Sequence, residues 1–434
     1  MLIEFSVENY RSFKDKKTLN LIASAGKELP NNIFKAQIKG EDVPPLLKST
    51  AIYGANASGK SNLIRAAFEM GTFIVNTTSM TEGDEINVTP FLLNKHSQNK
   101  PSIFEFIFIA EGVRYQYGYS ATKVRVEEEW LIAYPLGRPQ KWINRAINPS
   151  TGKSTIKFGE HLLDPNSQKE QYHKLTRDNE LVLSKAIQLN SEHLKPVYNW
   201  FKKYLWVLPQ RPFYSPATTL NYMRKNDVAI NRLVNLISSA DVGIVGFDTK
   251  AKKFELNALP QEVRKLLKGG LKNKAIVSKI GKSRIEVETI YSIHRSADSD
   301  KTIKFEFEEE SDGTRKLFTL AGYILNCLED GGILIIDELN SSMHPMMVEY
   351  IIKLFSNSST NIGNGQLIFS THDTTQLDNT LFRRDQIWFT ERSKDGSSDL
   401  YPLSNFSPRK DESLEKGYLR GKYGAIPYLG EFKF

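Results

Sequence analysis

The chain has 434 residues, 40% of them hydrophobic and 25% charged, with a formal net charge of +8. This fits a globular protein of two or three domains with a sizeable core. The single cysteine, Cys327, excludes an intrachain disulfide and a multi-cysteine metal site.

No apolar run approaches the ~18 residues of a membrane span, so no membrane segment is expected. The opening Met1 to Tyr10 lacks a basic start, an apolar stretch and a cleavage site. No signal peptide and a cytoplasmic location are therefore expected. The positive charge permits a nucleic-acid partner without requiring one.

Taken in chain order, residues 2–8 alternate as a short strand, and 49–53 form a second strand before a glycine-containing turn. Residues 62–70 read as a helix. Residues 103–109 and 113–119 read as neighbouring strands around the turn 110–112, part of a strand-rich subdomain near the turn at 54. From 165 to 240 the spacing of Leu183, Ala186, Ile187 and Leu194 predicts helices.

Residues 250–284 carry eleven Lys and Arg against Glu255 and Glu262, a local charge of +9. Two readings stay open for this segment: contact with nucleic-acid phosphates, or a solvated lysine-rich helix face. Its only aromatic, Phe254, argues against a base-stacking platform. Residues 285–290 and 303–307 return to strand character, and a helix follows over 317–328. Ile333 to Ile336 is a continuous apolar run, as in a strand buried on both faces. A helix over 346–355 and a strand over 366–370 complete a βαβ unit. These elements predict an N-terminal lobe at 1–160, a largely helical, basic insertion at 161–284 and a C-terminal lobe at 285–434.

Gly54-Ala55-Asn56-Ala57-Ser58-Gly59-Lys60-Ser61 matches the phosphate-loop pattern between a strand and a helix that continues through Asn62. Gly54 and Gly59 let the backbone wrap an anion, and successive N–H groups and the helix N-terminus face it. Lys60 reaches β- and γ-phosphates, and the Ser61 hydroxyl ligates Mg²⁺. After the run 333–336, Asp337 and Glu338 fit the second half of a magnesium–nucleotide site, Asp337 on the metal and Glu338 as general base. Taken singly, such acids more often cap a helix.

Ser311-Asp312-Gly313-Thr314-Arg315 opens a helix with small residues and backbone amides, suited either to phosphate or to an N-cap. His372 follows the strand 366–370, where a histidine either touches a γ-phosphate or is structural.

The order of phosphate loop, Ser-x-Gly helix start, Asp-Glu and strand–His resembles the ABC ATPase superfamily. The 277 positions separating Lys60 from Asp337 resemble the branch holding RecF, the SMC proteins and the OLD nucleases. Glu8-Asn9-Tyr10-Arg11-Ser12-Phe13 is similar to that branch's first-strand motif. Over nearly its whole length the chain resembles the stand-alone ABC-type ATPases classed as AAA domain group 15, which include RloA-like ATPases of phage-defence and abortive-infection systems. Pro90-Phe91-Leu92, Glu129-Trp130-Leu131 and the tail around Lys416-Gly417-Tyr418-Leu419-Arg420-Gly421 carry this likeness.

The resemblance implies an α/β fold. It implies an ABC-type head, with a phosphate-loop sheet, flanking helices and an antiparallel β-subdomain, plus the helical insertion. It implies ATP and Mg²⁺ as ligands, and Gly54, Asn56, Ala57, Ser58, Gly59, Lys60, Ser61 and Asn62 around the nucleotide. Arg11 would lie near the base or ribose, and Ser311–Arg315 would be the signature. Ser341–His344 would be the D-loop and His372 the switch histidine. Ser311 and Gly313 would complete the site of a second copy, in a homodimer or a higher even-numbered assembly. A separately encoded nuclease or toxin effector would be the partner.

Two departures stand out. No glutamine loop is evident, Gln98 and Gln116 being weak candidates, and Asn340 replaces the usual aspartate. A RecF-like DNA-repair ATPase is the alternative. An OLD-type nuclease would need more than the 62 residues after His372.

Overall fold

The computed structural model describes residues 1–148, 150–210, 215–240, 243–255, 276–280, 284–409 and 411–427. The chain divides into two compact units. Unit 1 holds residues 1–210, 327–339 and 352–434, and unit 2 holds 211–326 and 340–351.

Unit 1 contains two large sheets. The first has the order β10-β9-β8-β7-β6-β1-β2 and is antiparallel throughout. Its strands are β1 (Leu2–Glu8), β2 (Lys17–Asn20), β6 (Ser102–Ala110), β7 (Val113–Ala121), β8 (Val126–Tyr134), β9 (Gln140–Ile147) and β10 (Ser154–Phe158). A two-stranded piece, β3 (Ile33–Phe34) with β4 (Leu46–Leu47), follows β2 in the chain. The expected turn at 110–112 joins β6 to β7. These strands are rich in Phe and Tyr, residues that favour a pleated, half-buried surface. Phe104, Phe106 and Phe108 all point to one buried face, and Phe108 stacks on Trp200 with ring centroids 4.1 Å apart.

The second sheet has the order β11-β16-β17-β5-β18-β19. It is built from β5 (Ser49–Tyr53), β11 (Leu205–Leu208), β16 (Ile333–Ile336), β17 (Gln366–Ser370), β18 (Ile387–Arg392) and β19 (Ser398–Pro402). All neighbours run parallel except β18 and β19, which form a hairpin. Every residue of β5, β16 and β17 is buried. This is why β16 reads as an unbroken apolar run and β5 and β17 show no alternation: strands covered on both faces leave no position for it.

The helices of unit 1 are α1 (Lys60–Asn76), α2 (Lys95–Gln98), α3 (Asn166–Leu175), α4 (Val182–Gln188), α5 (Lys195–Asn199) and, near the C-terminus, α10 (Leu414–Leu419). The boundary expected at 160 is not a boundary of the compact units. Helices α3 to α5 and β11 belong to unit 1, because β11 supplies the outermost parallel strand beside β16.

Unit 2 has a four-stranded antiparallel sheet in which β14 (Arg284–Arg295) pairs with β12 (Ile244–Glu255) on one side and with β13 (Ile276–Ile280) and β15 (Thr302–Glu306) on the other. Helices α6 (Ala217–Met223) and α7 (Asp227–Ser238) belong to it, as do α8 (Asp312–Asp330) up to Asn326 and α9 (Pro345–Ser356) up to Ile351. Unit 2 thus carries a sheet beside its helices. Every second residue of 285–293 is β-branched or aromatic, namely Ile285, Val287, Thr289, Tyr291 and Ile293, which favours a strand. The basic segment contributes to β12, β13 and the start of β14, and its residues 256–275 and 281–283 lie outside the described residues. No described helix is long and apolar enough to cross a membrane.

Candidate nucleotide site

The strands β5, β16, β17 and β18 end on one edge of the parallel sheet, where ligands of open α/β sheets bind. The chain leaves β5 into the loop 54–59 and enters α1 at Lys60. Three residues of the loop have left-handed backbone, Gly54 at φ 152°, Ala57 at φ 60° and Gly59 at φ 119°. Gly54 and Gly59 are required there for space as well as conformation. A Cβ on Gly54 would lie 2.3 Å from the Thr390 carbonyl oxygen, and one on Gly59 would lie 2.4 Å from Ser398 Oγ.

Strand β18 braces the underside of the loop. Ser58, buried, shares a hydrogen bond with Thr390 between hydroxyl oxygens 2.6 Å apart. Asn56 and Ala57 form the exposed crest. Gly59 occupies the N-cap of α1 and no side chain caps that helix. Its first turn thus forgoes a few tenths of a kcal/mol of capping and keeps its amides for a ligand.

Lys60 is 5% exposed. Its ammonium donates to the carbonyls of Gly54 at 2.7 Å and Ala55 at 3.0 Å. Burial lowers its pKa to about 8, and the nearby charges of Asp337 and Glu338 only partly offset this. A buried cation held by two neutral carbonyls, beside an uncapped helix start, is a receptor for an anion of high charge.

Asp337 closes β16 and is 2% exposed. Ser370, at the end of β17, donates its hydroxyl to Asp337 Oδ1 at 2.6 Å and accepts from the Glu338 N–H at 2.8 Å. One hydroxyl therefore sets both acids. Glu338 has φ 51°, costly for a residue with a Cβ. Its Oε2 accepts from Gln210 Nε2 at 2.6 Å, and its Oε1 lies 3.8 Å from His372 Nε2. The His372 pKa is lowered by burial and then by the charge of Lys60, with the two carboxylates acting in the opposite sense. The ring is therefore held neutral near pH 7.

The structure thus brings Lys60, Asp337, Glu338 and His372 together. Asn62 Nδ2 donates to Ser12 Oγ at 2.9 Å, which ties the first-strand turn to α1. Arg11, half-buried, donates through Nε to the Tyr10 hydroxyl at 3.0 Å. Ser61 supplies a hydroxyl and Asp337 a carboxylate, hard oxygen donors of the kind Mg²⁺ prefers. Among the described residues no cluster of three or more His, Cys, Asp or Glu could hold a metal. A cation held by few protein oxygens and completed by substrate phosphates suits this donor set.

Ser311 and Gly313 belong to unit 2. Ser311 Oγ accepts from the Thr314 N–H at 3.1 Å and so caps α8. A Cβ on Gly313 would lie 2.8 Å from the Ser342 carbonyl oxygen, and Lys316 Nζ donates to the Ser341 carbonyl at 2.8 Å. The expected signature and D-loop are thus packed against each other. Asn340 Oδ1 is buried and has no hydrogen-bond partner among the described residues.

The two glutamines singled out from sequence lie elsewhere. Gln98 Nε2 donates to the Leu92 carbonyl at 2.6 Å, and Gln116 Nε2 to Glu105 Oε2 at 2.8 Å. The glutamine at the site is Gln210, two residues beyond β11. Its one sequence signal is position, just after the apolar run 205–208. Ser370, Thr390 and Ser398 carry no motif and emerge only from the pairing of strands.

No curated protein matches this sequence. Solved structures similar to the chain include the SmcHead bound to the C-winged helix domain of ScpA, at 14% identity over 96% of this chain and 99% of that one, with a TM-score of 0.37. They also include the Smc head domain with an extended coiled coil bound to the C-terminal domain of ScpA derived from Pyrococcus furiosus. That likeness is 12% identity over 97% and 98% of the two chains, again with a TM-score of 0.37. A family model described as "AAA domain, putative AbiEii toxin, Type IV TA system" matches residues 49–378, more than half of the chain. The chain belongs to that family of AAA-domain proteins.

Proposed function

We propose that this chain binds and hydrolyses ATP, that two copies close around the nucleotides, and that the cycle controls a separately encoded effector in a bacterial phage-defence system. The observation that carries the ATPase reading is the meeting of buried Lys60 and Asp337 with Glu338 at an uncapped helix start.

Lys60 exchanges its two loop carbonyls for β- and γ-phosphate oxygens, and the amides of the loop and of α1 take the remaining charge. Ser61 and Asp337 would hold Mg²⁺, which supplies charge neutralisation on the phosphate oxygens. Glu338 takes a proton from water as the water oxygen bonds to the γ-phosphorus and the bond to the β-phosphate oxygen breaks. Gln210 fixes one carboxylate oxygen of Glu338 while the other stays on the His372 side. Neutral His372 is suited to donate to a γ-phosphate oxygen.

The second copy is supported by the exposed first turn of α8 at Ser311 and Asp312, which leaves a helix N-terminus open to an anion. The defence role is supported by the family description, which names a toxin–antitoxin system. Titration calorimetry of the full chain with ATP and magnesium tests the central claim. The wild type binds and Lys60→Ala loses measurable affinity; equal affinity in the two would overturn the site.

A further inference from the structure

The nucleotide site leaves without a role one stretch that carries the family likeness, the C-terminal tail around Lys416 to Gly421. It folds into α10 and a return loop over residues 420–425, all within unit 1. Tyr418 stacks on Phe389 of β18 with ring centroids 5.4 Å apart. The same ring lies 6.1 Å from that of Tyr53, the residue before Gly54 of the phosphate loop.

The tail is locked to itself. The buried Tyr423 donates its hydroxyl to Glu412 Oε1 at 2.6 Å, and the Tyr418 hydroxyl donates to the Ala425 carbonyl at 3.0 Å. Two glycines admit these rings. A Cβ on Gly417 would lie 2.7 Å from the Tyr423 hydroxyl, and one on Gly424, at φ 68°, would lie 2.6 Å from the Tyr401 hydroxyl.

From this base the tail holds the segment that follows His372. Upstream, His372 is fixed by the sheet: the Thr371 N–H donates to the Ile52 carbonyl at 3.1 Å, and Ser370 is bonded to Asp337. Downstream, the chain makes one 3-10 turn, Thr374–Gln376, and a single short turn fixes little by itself. The tail supplies outside support at two points. Thr374 Oγ1 donates to Glu415 Oε1 at 2.9 Å, and Asn379 Nδ2 donates to the Glu412 carbonyl at 2.8 Å. Packing alone would be served by apolar side chains. A carboxylate and a carbonyl make directional bonds instead, and direction is what a loop needs to hold a ring in place.

We infer that the tail positions His372: Glu415, through Thr374, sets where the imidazole stands relative to a bound γ-phosphate. Glu415 is a positioning residue and touches no reacting atom. The inference rests on the ATPase reading, and a double-mutant cycle separates the two.

Turnover and ATP calorimetry on the full chain give the test. His372→Ala should lower turnover ~10²-fold, as expected for loss of a donor to the transferring phosphate. Glu415→Ala should lower it about tenfold, short of the ~10²-fold of a 1 Å misplacement, with ATP affinity unchanged. Thr374→Val breaks the same bond from the side of the turn, leaving the tail intact, and should match that loss. Thr374→Ser should restore turnover. In the His372→Ala background, Glu415→Ala and Thr374→Val should cost nothing further, because the ring they position is gone. An equal loss in both backgrounds, or no loss beside an intact His372, overturns the positioning role while the phosphate loop stands. Wild-type turnover by His372→Ala overturns it in the same way. A wild type that does not turn ATP over overturns the ATPase reading and this inference with it.

Discussion

Two helix starts, one in each unit, solve the same problem in opposite ways. Helix α1 begins at a glycine with no side-chain cap and keeps a buried lysine beside its amides. Helix α8 begins at Ser311, whose hydroxyl already caps the Thr314 amide on an exposed turn. The first arrangement is incomplete until a strong anion arrives; the second is stable as it stands. The difference teaches that the sheet edge of unit 1 is built to hold a ligand, whereas the first turn of α8 has a cap of its own.

The strongest way to break this comparison is to remove the chemistry and keep the binding. Glu338→Gln retains the Gln210 contact geometry and the size of the side chain but cannot take a proton. Turnover should fall ~10³-fold, the usual range for a general base, with ATP still bound. A stabilised dimer in gel filtration with ATP should accompany it. Normal phosphate release by this variant would remove Glu338 from its role.

A change at the other helix start should separate recognition from binding. Gly313→Val drives a side chain against the Ser342 carbonyl and displaces the first turn of α8. Loss of helix-end donors to a transferring phosphate costs on the order of 10² in turnover. ATP affinity of the single chain should be unchanged, and wild-type turnover per chain should rise with protein concentration. Concentration-independent turnover would show that α8 does not act on a second copy.

A smaller effect is expected where one hydroxyl serves two acids. Ser370→Ala removes the donor to Asp337 and the acceptor of the Glu338 amide together. Groups that orient a metal ligand are worth ~10–100-fold in affinity or activity. A magnesium titration of turnover should shift by that factor, and an unshifted curve would leave Ser370 a packing residue.

The parts of the site that are legible in the sequence are those where chemistry and backbone coincide. Gly54, Gly59 and Lys60 must occupy fixed positions in one tight loop, and Ile333 to Ile336 must be apolar because both faces are buried. Gln210 reaches the site through strand pairing across 128 residues and Ser370 through pairing across 33, and no local pattern records either. In unit 2, β14 and β15 are read from the sequence, but β12 is hidden for another reason. On β12 Lys253, directly after Lys252, breaks the apolar–polar alternation that marks a strand. The antiparallel sheet of unit 1, with Phe104, Phe106 and Phe108 alternating along β6, shows its period openly.

The finest test concerns the lysine itself. With burial holding Lys60 near a pKa of about 8, the ligand-free protein loses this proton as pH rises through 8. Phosphate oxygens around the ammonium favour its charged form and raise the pKa in the complex. Between those two values the complex binds one proton more than the free protein. Linkage then requires ATP affinity to be flat below pH 8 and to fall above it, by a factor approaching ten per pH unit. Calorimetry at pH 9 in buffers of different ionisation enthalpy should register the uptake of about one proton, and at pH 7 almost none. In the free protein the same shift has a second consequence. The unfolded chain holds the Lys60 proton more tightly than the folded one, so folding stability rises with pH between about 8 and the ordinary lysine value of 10.5. Lys60→Met should abolish that rise in melting temperature. No proton uptake at pH 9 would mean that the lysine is already fully charged in the empty loop, and α1 would then be less poised for its anion than the contrast with α8 requires.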